Sequence, residues 1–423
     1  MKRALVLGGG GARGAYEMGV WQSLRENHID YDFVIGVSIG ALTGALIVQN
    51  RYREGLELWN NITPDQIIDK GVTLDLDLEL LISQRDKLIP LLQKAIKEGG
   101  MDVSPLYGKI TELADTKKIV NAKYPLYIYT VEVPNFTPHL INIQETKPEK
   151  MADYLMASAS VFPAFPIKTI EDKKFIDGGY YDSLPIETAI KLGAEEVIAV
   201  NLKAPGMMQK VNNRQVKITM IEPYWSLGGF LNFTADQAKH NIKMGYLDAQ
   251  KCFGKIDGFA YAFKGFDNYL KDLNKLLLNK IRQINKKKTK KLIPEISLVL
   301  SGTDDKLVRQ INPDYKDHDL TLRLVEKLME LENYEATKIY NIRSIIKEIN
   351  KKVKAETAIN MSDWWDSFIK NPKDAIQEFE VKGFVINMAR EFTKADSDLI
   401  CLFHKFFPSE CLMALLLNCF TEL

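Results

Sequence analysis

Residues 3–40 read RALVLGGGGARGAYEMGVWQSLRENHIDYDFVIGVSIG, and they hold the pattern that decides the fold. Residues 4–7 are a short apolar run that ends in Gly8, Gly9, Gly10 and Gly11, which predicts a buried strand entering a glycine loop. Residues 15–25 follow with Tyr16, Val20 and Leu24 at helical spacing. A second short run, 33–35, leads into Gly36-Val37-Ser38-Ile39-Gly40, and residues 41–48 read as an apolar, close-packing helix. Strand, glycine turn and helix thus occur twice in fifty residues. That rhythm predicts an α/β fold with a mostly parallel sheet.

Working outward, 126–133 and 197–201 read as strands, 187–191 as a helix with Gly193 as its cap, and 174–176 as a strand ending at Asp177-Gly178-Gly179. Leu74, Leu76, Leu78, Leu80 and Leu81 suggest a helical lid or insertion. From about residue 264 the character changes, and 270–284, 320–331, 334–353 and 362–368 read as amphipathic helices. The expected division is a catalytic domain over 1–265 and a mainly helical region over 266–423. The basic stretch 279–291 is either a solvated helix end or an anchor for anionic headgroups.

The 423 residues exceed the usual single-domain size, and 46% apolar with 26% charged residues excludes a disordered or collagen-like chain. A formal charge of +1 gives no global field toward nucleic acid. Cys252, Cys401, Cys411 and Cys419 form no disulfide framework or metal spacing and are expected as buried free thiols. The apolar run at 4–7 is too short for a secretory leader, and no stretch reaches the roughly 18 apolar residues of a spanning helix. A cytoplasmic protein, peripheral to the membrane at most, is the expectation.

Gly9-Gly10-Gly11-Ala12-Arg13-Gly14 fits G-x-G-x-x-G, which admits two readings. A dinucleotide site wants an acidic residue after the second strand, whereas Asp30 and Asp32 precede it. The other reading is a cluster of backbone N–H donors at a helix N-terminus, suited to a developing oxyanion. Arg13 would support that loop, meet an anionic headgroup or form an ordinary salt bridge. Gly36-Val37-Ser38-Ile39-Gly40 is G-x-S-x-G in a strand–turn–helix context, the setting of a nucleophile elbow presenting Ser38. For its base, His139 and His240 lie in no signature loop, and Asp177 at a strand end is the stronger candidate. A carboxylate with an ordinary pKa of about 3.9 is a poor base toward a hydroxyl, so proton transfer must be concerted with attack.

These motifs together, with Ala157-Ser158-Ala159-Ser160-Val161-Phe162-Pro163-Ala164-Phe165-Pro166 between them, resemble the patatin-like phospholipases over roughly residues 2–263. The resemblance implies a three-layer α/β/α fold and acyl-ester hydrolysis by a Ser–Asp dyad without histidine, metal or cofactor. It implies Ser38 as nucleophile and Asp177 as general base. Gly9, Gly10, Gly11, Ala12, Arg13 and Gly14 would supply the oxyanion hole, Gly36 and Gly40 the elbow, and Gly178 and Gly179 the dyad loop. The implied partner is a phospholipid, lysophospholipid or other acyl ester, met by transient contact with a membrane surface. Trp225, Leu227, Phe230, Leu231 and Phe233 would serve that contact or ordinary packing. One departure stands out: relatives commonly show Asn shortly after the Asp-Gly-Gly element, where this chain has Asp182-Ser183-Leu184-Pro185. A soluble-ester or thioester hydrolase, or partner binding through the C-terminal region, are the alternative functions.

Overall fold

The computed structural model describes residues 2–69, 102–213, 215–264, 268–286, 319–355, 366, 370, 381–391 and 407–420. Its contacts divide the chain into two units, Met1–Lys255 and Ile256–Leu423. The leucines at 74–81, the helix expected at 362–368 apart from Asp366, and the basic residues at 287–291 lie outside the described residues.

The first unit holds the strands β1 (Arg3–Leu7), β2 (Phe33–Val37), β3 (Leu126–Val133), β4 (Thr137–Asn142), β5 (Lys168–Ile170), β6 (Lys173–Asp177), β7 (Glu196–Val200) and β8 (Lys217–Ile221). They form one sheet in the order β5-β6-β3-β2-β1-β7-β8, with β4 also on β3. The run β3-β2-β1-β7-β8 is parallel throughout. Such strands are covered on both faces, which explains why Ala4, Leu5, Val6 and Leu7 are an unbroken apolar run with at most 1% exposure.

Helices cover the two faces: α1 (Ala15–Glu26), α2 (Ile39–Val48), α3 (Tyr52–Asn60), α4 (Ser104–Leu113), α5 (Thr116–Val120), α6 (Pro148–Ser158), α7 (Ile186–Lys191) and α8 (Ala235–Cys252). On one face Ala4, Val6, Phe33, Ile35, Val197 and Ala199 pack with Ile186 and Ala189 of α7. On the other, Gly44 of α2 lies against Leu7, Val34 and Leu126. The layers are helix, mostly parallel sheet, helix. Gly193 takes φ +93° just past α7 and closes it as the sequence pattern predicts.

The pairing of β3 sets the site. One of its edges carries β4, antiparallel, from Tyr127 to Glu132. The other edge is shared: β2 runs parallel along its first half, with Val37 opposite Tyr129, and β6 runs antiparallel along its second half, with Asp177 opposite Thr130. The carboxyl ends of β2 and β6 therefore meet head to head on adjacent rungs. Ser38 follows one end, and Asp177 is the other.

The second unit is mainly helical, with α9 (Asn268–Lys286), α10 (Asp319–Leu331), α11 (Ile342–Ala355), α12 (Val381–Glu391) and α13 (Pro408–Phe420). Leu273, Leu277, Val325, Met329, Ile345, Met388 and Leu416 are buried in it. The helix expected over 334–353 begins later, because β10 (Ile339–Asn341) pairs in parallel with β9 (Ala262–Lys264) first. Glu326, 2% exposed, accepts from the Phe259 and Tyr261 amides at 2.7 and 3.0 Å and fixes the turn before β9. Cys411 and Cys419 are buried free thiols, whereas Cys252 is exposed with its Sγ 3.5 Å from the Met220 carbonyl; Cys401 lies outside the described residues. Among the described residues no helix is long and apolar enough to cross a membrane.

Candidate active site

Ser38 sits between β2 and α2 at φ 56°, ψ −124°, a backbone conformation that a non-glycine residue adopts only when its surroundings enforce it. The flanking glycines are required by close approach. A Cβ on Gly36 would stand 2.2 Å from the Gly40 carbonyl oxygen, and one on Gly40 would stand 2.5 Å from that of Leu7. The turn is thereby pressed against β1 with the serine at the N-terminus of α2, where the helix dipole favours negative charge.

Asp177 is 4% exposed. Its Oδ1 accepts from the Gly179 amide at 2.7 Å, while Oδ2 has no partner of hydrogen-bond geometry among the described residues. Burial pushes its carboxyl up to about 7, and the nearby Ser38 hydroxyl and the Gly179 N–H offset only part of that rise. The Ser38 hydroxyl thus lies beside the carboxyl without a bond of hydrogen-bond geometry to Oδ2. The ordinary carboxylate basicity assumed from composition does not apply here, because the carboxylate has lost its water.

The stretch 157–160 braces both residues. The Ser38 amide donates to Ser158 Oγ at 3.0 Å, and the Asp177 amide donates to the Ser160 carbonyl at 2.9 Å. Ser160 Oγ in turn donates to the Met156 carbonyl at 2.9 Å, and both serines are fully buried. The sequence quoted this segment only by resemblance; the small residues at every position were the available sign that the backbone is approached closely there.

In the glycine loop the amides divide sharply. Gly8, Gly9, Ala12 and Arg13 donate to the carbonyls of Val200, Ser183, Phe230 and Gly10 at 2.7–3.1 Å. The Gly10 and Gly11 amides have no carbonyl partner among the described residues. Arg13 donates from Nε to the Gly228 carbonyl at 2.8 Å and from Nη1 to that of Lys203 at 2.7 Å, so it ties two later loops to this one. Ala12, Arg13 and Gly14 stand outside the cavity wall. Asp182 Oδ1 accepts from the Leu184 and Gln209 amides at 3.2 and 3.3 Å, so it braces its own loop, with burial raising its carboxyl to about 6.

Gly9, Gly10, Gly11, Ser38, Asp177 and Gly179 line one cavity. Its depth is apolar, walled by Leu42, Leu46, Leu58, Ile62, Leu106, Ile110 and Leu155 and by the stacked rings of Trp59 and Phe233, whose centroids are 6.4 Å apart. Phe230, Leu231 and Phe233 belong to this wall, and Leu227, Phe230 and Phe233 are buried. None of the described histidines lines it; His139 Nε2 is 2.7 Å from Glu132 Oε2 on the sheet. Sequence reasoning missed Glu17. It is fully buried on α1, neither oxygen has a partner of hydrogen-bond geometry among the described residues, and Thr43, which touches the cavity, lies beside it.

These features define an α/β protein with a serine elbow, a buried carboxylate and the Gly10 and Gly11 amides gathered at one sheet edge. Residues 5–190, less than half of the chain, match the family model described as patatin-like phospholipase. The human patatin-like phospholipase domain-containing protein 6 is 27% identical over 241 residues, covering 56% of this chain and 16% of its own length. Lysophospholipase NTE1 of Mycosarcoma maydis is 26% identical over 208 residues, covering 48% of this chain and 10% of its own. The chain thus spans about a sixth or less of the curated relatives it matches. The solved structure of VipD from Legionella pneumophila aligns over 99% of this chain and 91% of its own at 12% identity, with a TM-score of 0.38.

Proposed function

We propose that the Met1–Lys255 unit hydrolyses carboxylic ester bonds of phospholipids or lysophospholipids, with Ser38 as nucleophile and Asp177 as general base. One observation carries the reading: the two strand ends that bear these residues abut on adjacent rungs of β3 and open on a long apolar cavity. The cavity suits an acyl chain, and the serine stands at its polar end.

Ser38 Oγ attacks the ester carbonyl carbon while its proton passes to Asp177. The carbonyl oxygen gains the negative charge within reach of the Gly10 and Gly11 amides. Preorganised donors of this kind are worth about 3 kcal/mol each elsewhere. Collapse of the tetrahedral centre breaks the C–O bond to the alcohol, which takes the proton back from Asp177. Water then attacks the acyl-serine, gives its proton to Asp177, and the fatty acid leaves as Ser38 is reprotonated. A base near pKa 7 is matched to this shuttle in a way that an ordinary aspartate is not.

The test is hydrolysis of nitrophenyl esters and phospholipid vesicles, with products identified by mass spectrometry. Ser38→Ala and Asp177→Asn should each lower turnover by at least about 1000-fold with the fold retained. Full activity in either variant would overturn the dyad. Equal activity on short soluble esters and no release of fatty acid from vesicles would favour a soluble-ester hydrolase.

A further inference from the structure

The connection between β7 and β8 passes the mouth of the cavity, and Ala204 and Pro205 form part of its wall. The next two side chains turn outward. Met207 is 38% exposed and Met208 64%, the latter the most exposed large apolar residue among those described. Lys203 and Lys210 flank them and are also exposed.

This segment is held rigidly to the loop that follows Asp177. The Met207 amide donates to the Gly179 carbonyl at 3.1 Å, and the Ser183 amide donates to the Met207 carbonyl at 2.6 Å. Gln209 donates from its amide to Asp182 Oδ1 at 3.3 Å and from Nε2 to the Tyr181 carbonyl at 2.9 Å. Arg13 anchors the Lys203 carbonyl. A loop tied down at five points is already ordered, so docking it costs little conformational entropy. Two adjacent methionines are thus exposed on such a frame, Met208 over most of its surface. Methionine adapts to an irregular apolar medium, and the exposed Lys210 beside it suits a phosphate-bearing surface, while Lys203 Nζ stands 3.7 Å from Glu222 Oε1.

We propose that residues 203–210 are the rim by which the protein docks on a phospholipid bilayer, with Met207 and Met208 entering the acyl region and the cavity mouth placed at the interface. The proposal deepens the acyl-hydrolase reading and rests on it, since that reading supplies the reason for a lipid surface at this mouth. The frame also links the docked surface to the Asp177 loop through the Met207–Gly179 and Ser183–Met207 hydrogen bonds.

The experiment uses the full chain carrying Ser38→Ala, so that binding is read without turnover. Cosedimentation with vesicles of phosphatidylcholine and phosphatidylglycerol is compared with and without Met207→Ser/Met208→Ser. Loss of two inserted apolar side chains should weaken binding roughly tenfold or more. In parallel, Met208→Trp should shift tryptophan emission to the blue when vesicles are added and be quenched by brominated acyl chains. Unchanged cosedimentation, or emission at position 208 that vesicles leave unaltered, would overturn the proposal. So would a dimer of the parent protein that the methionine variants dissolve while vesicle binding stays the same. Because no step depends on ester cleavage, failure of the dyad assignment is read separately, in the Ser38→Ala and Asp177→Asn assays.

Discussion

The burial of Asp177 predicts an unusual pH profile. A solvated aspartate would be ionised above about pH 5, and a base of that kind would give flat kcat/KM across neutrality. Burial instead raises this carboxyl from 3.8 to about 7. Since the base works only when ionised, kcat/KM on a soluble nitrophenyl ester should fall about tenfold per pH unit below 7, reaching roughly 1% of its plateau at pH 5. The same burial sets the sign of a stability effect. A carboxyl whose folded pKa exceeds its unfolded value keeps full stability below the unfolded pKa and loses it as pH rises through the folded one. Asp177 therefore destabilises the fold progressively between pH 3.8 and about 7. Asp177→Asn should remove that loss, adding stability on the order of 4 kcal/mol at pH 8 while abolishing turnover. Stopped-flow ester hydrolysis and urea unfolding at pH 5 and 8 measure the two effects. An inflection near pH 4, or an asparagine variant less stable than the parent at pH 8, would refute the reasoning.

Two further outcomes follow from the surroundings of the site. Burial drives Glu17 up to about 8, only partly offset by the Thr43 hydroxyl, so it destabilises the fold as pH rises from 4.5 through 8; Glu17→Gln should flatten that slope in urea unfolding across the same range. Arg13→Ala breaks two charge-assisted bonds to the Gly228 and Lys203 carbonyls and should cost about 2–4 kcal/mol, with a lowered melting temperature. Arg13→Lys should not restore it, because a single ammonium cannot span both acceptors in the fixed geometry of the guanidinium.

Much of the first unit was legible because its signals are local. The run 4–7 with its glycines, and 33–35 with G-x-S-x-G, lie where β1, β2 and their turns stand, since buried parallel strands are short apolar runs punctuated by glycine. The helix expected at 270–284 extends by two residues at each end as Asn268–Lys286. What stayed hidden depends on distant pairing. Nothing in 174–177 tells that β6 runs antiparallel and meets β2 on β3. The three-residue pairing of β9 with β10 likewise leaves no periodicity to detect, and it displaced the start of the helix expected from residue 334. Residue types placed Ser38 and Asp177 as candidates, but the basicity of Asp177 belongs to its burial, and the brace from Ser158 and Ser160 belongs to tertiary contact.

The shared edge of β3 also has a consequence for how such a chain can vary. The polypeptide leaves the edge at Val37, returns to build β3 at Leu126, leaves again at Val133 and comes back as β6 at Lys173. Each excursion starts and ends on the same short ladder, so apart from β4 and the Ser158–Ser160 brace its length and content are free of the register that aligns Ser38 with Asp177. Most of the apolar cavity wall, from Leu42 to Leu113 and from Leu155 to Phe165, is carried on these two excursions. The wall of the pouch can therefore be reshaped by evolution or design on these excursions while the ladder that aligns Ser38 with Asp177 is kept.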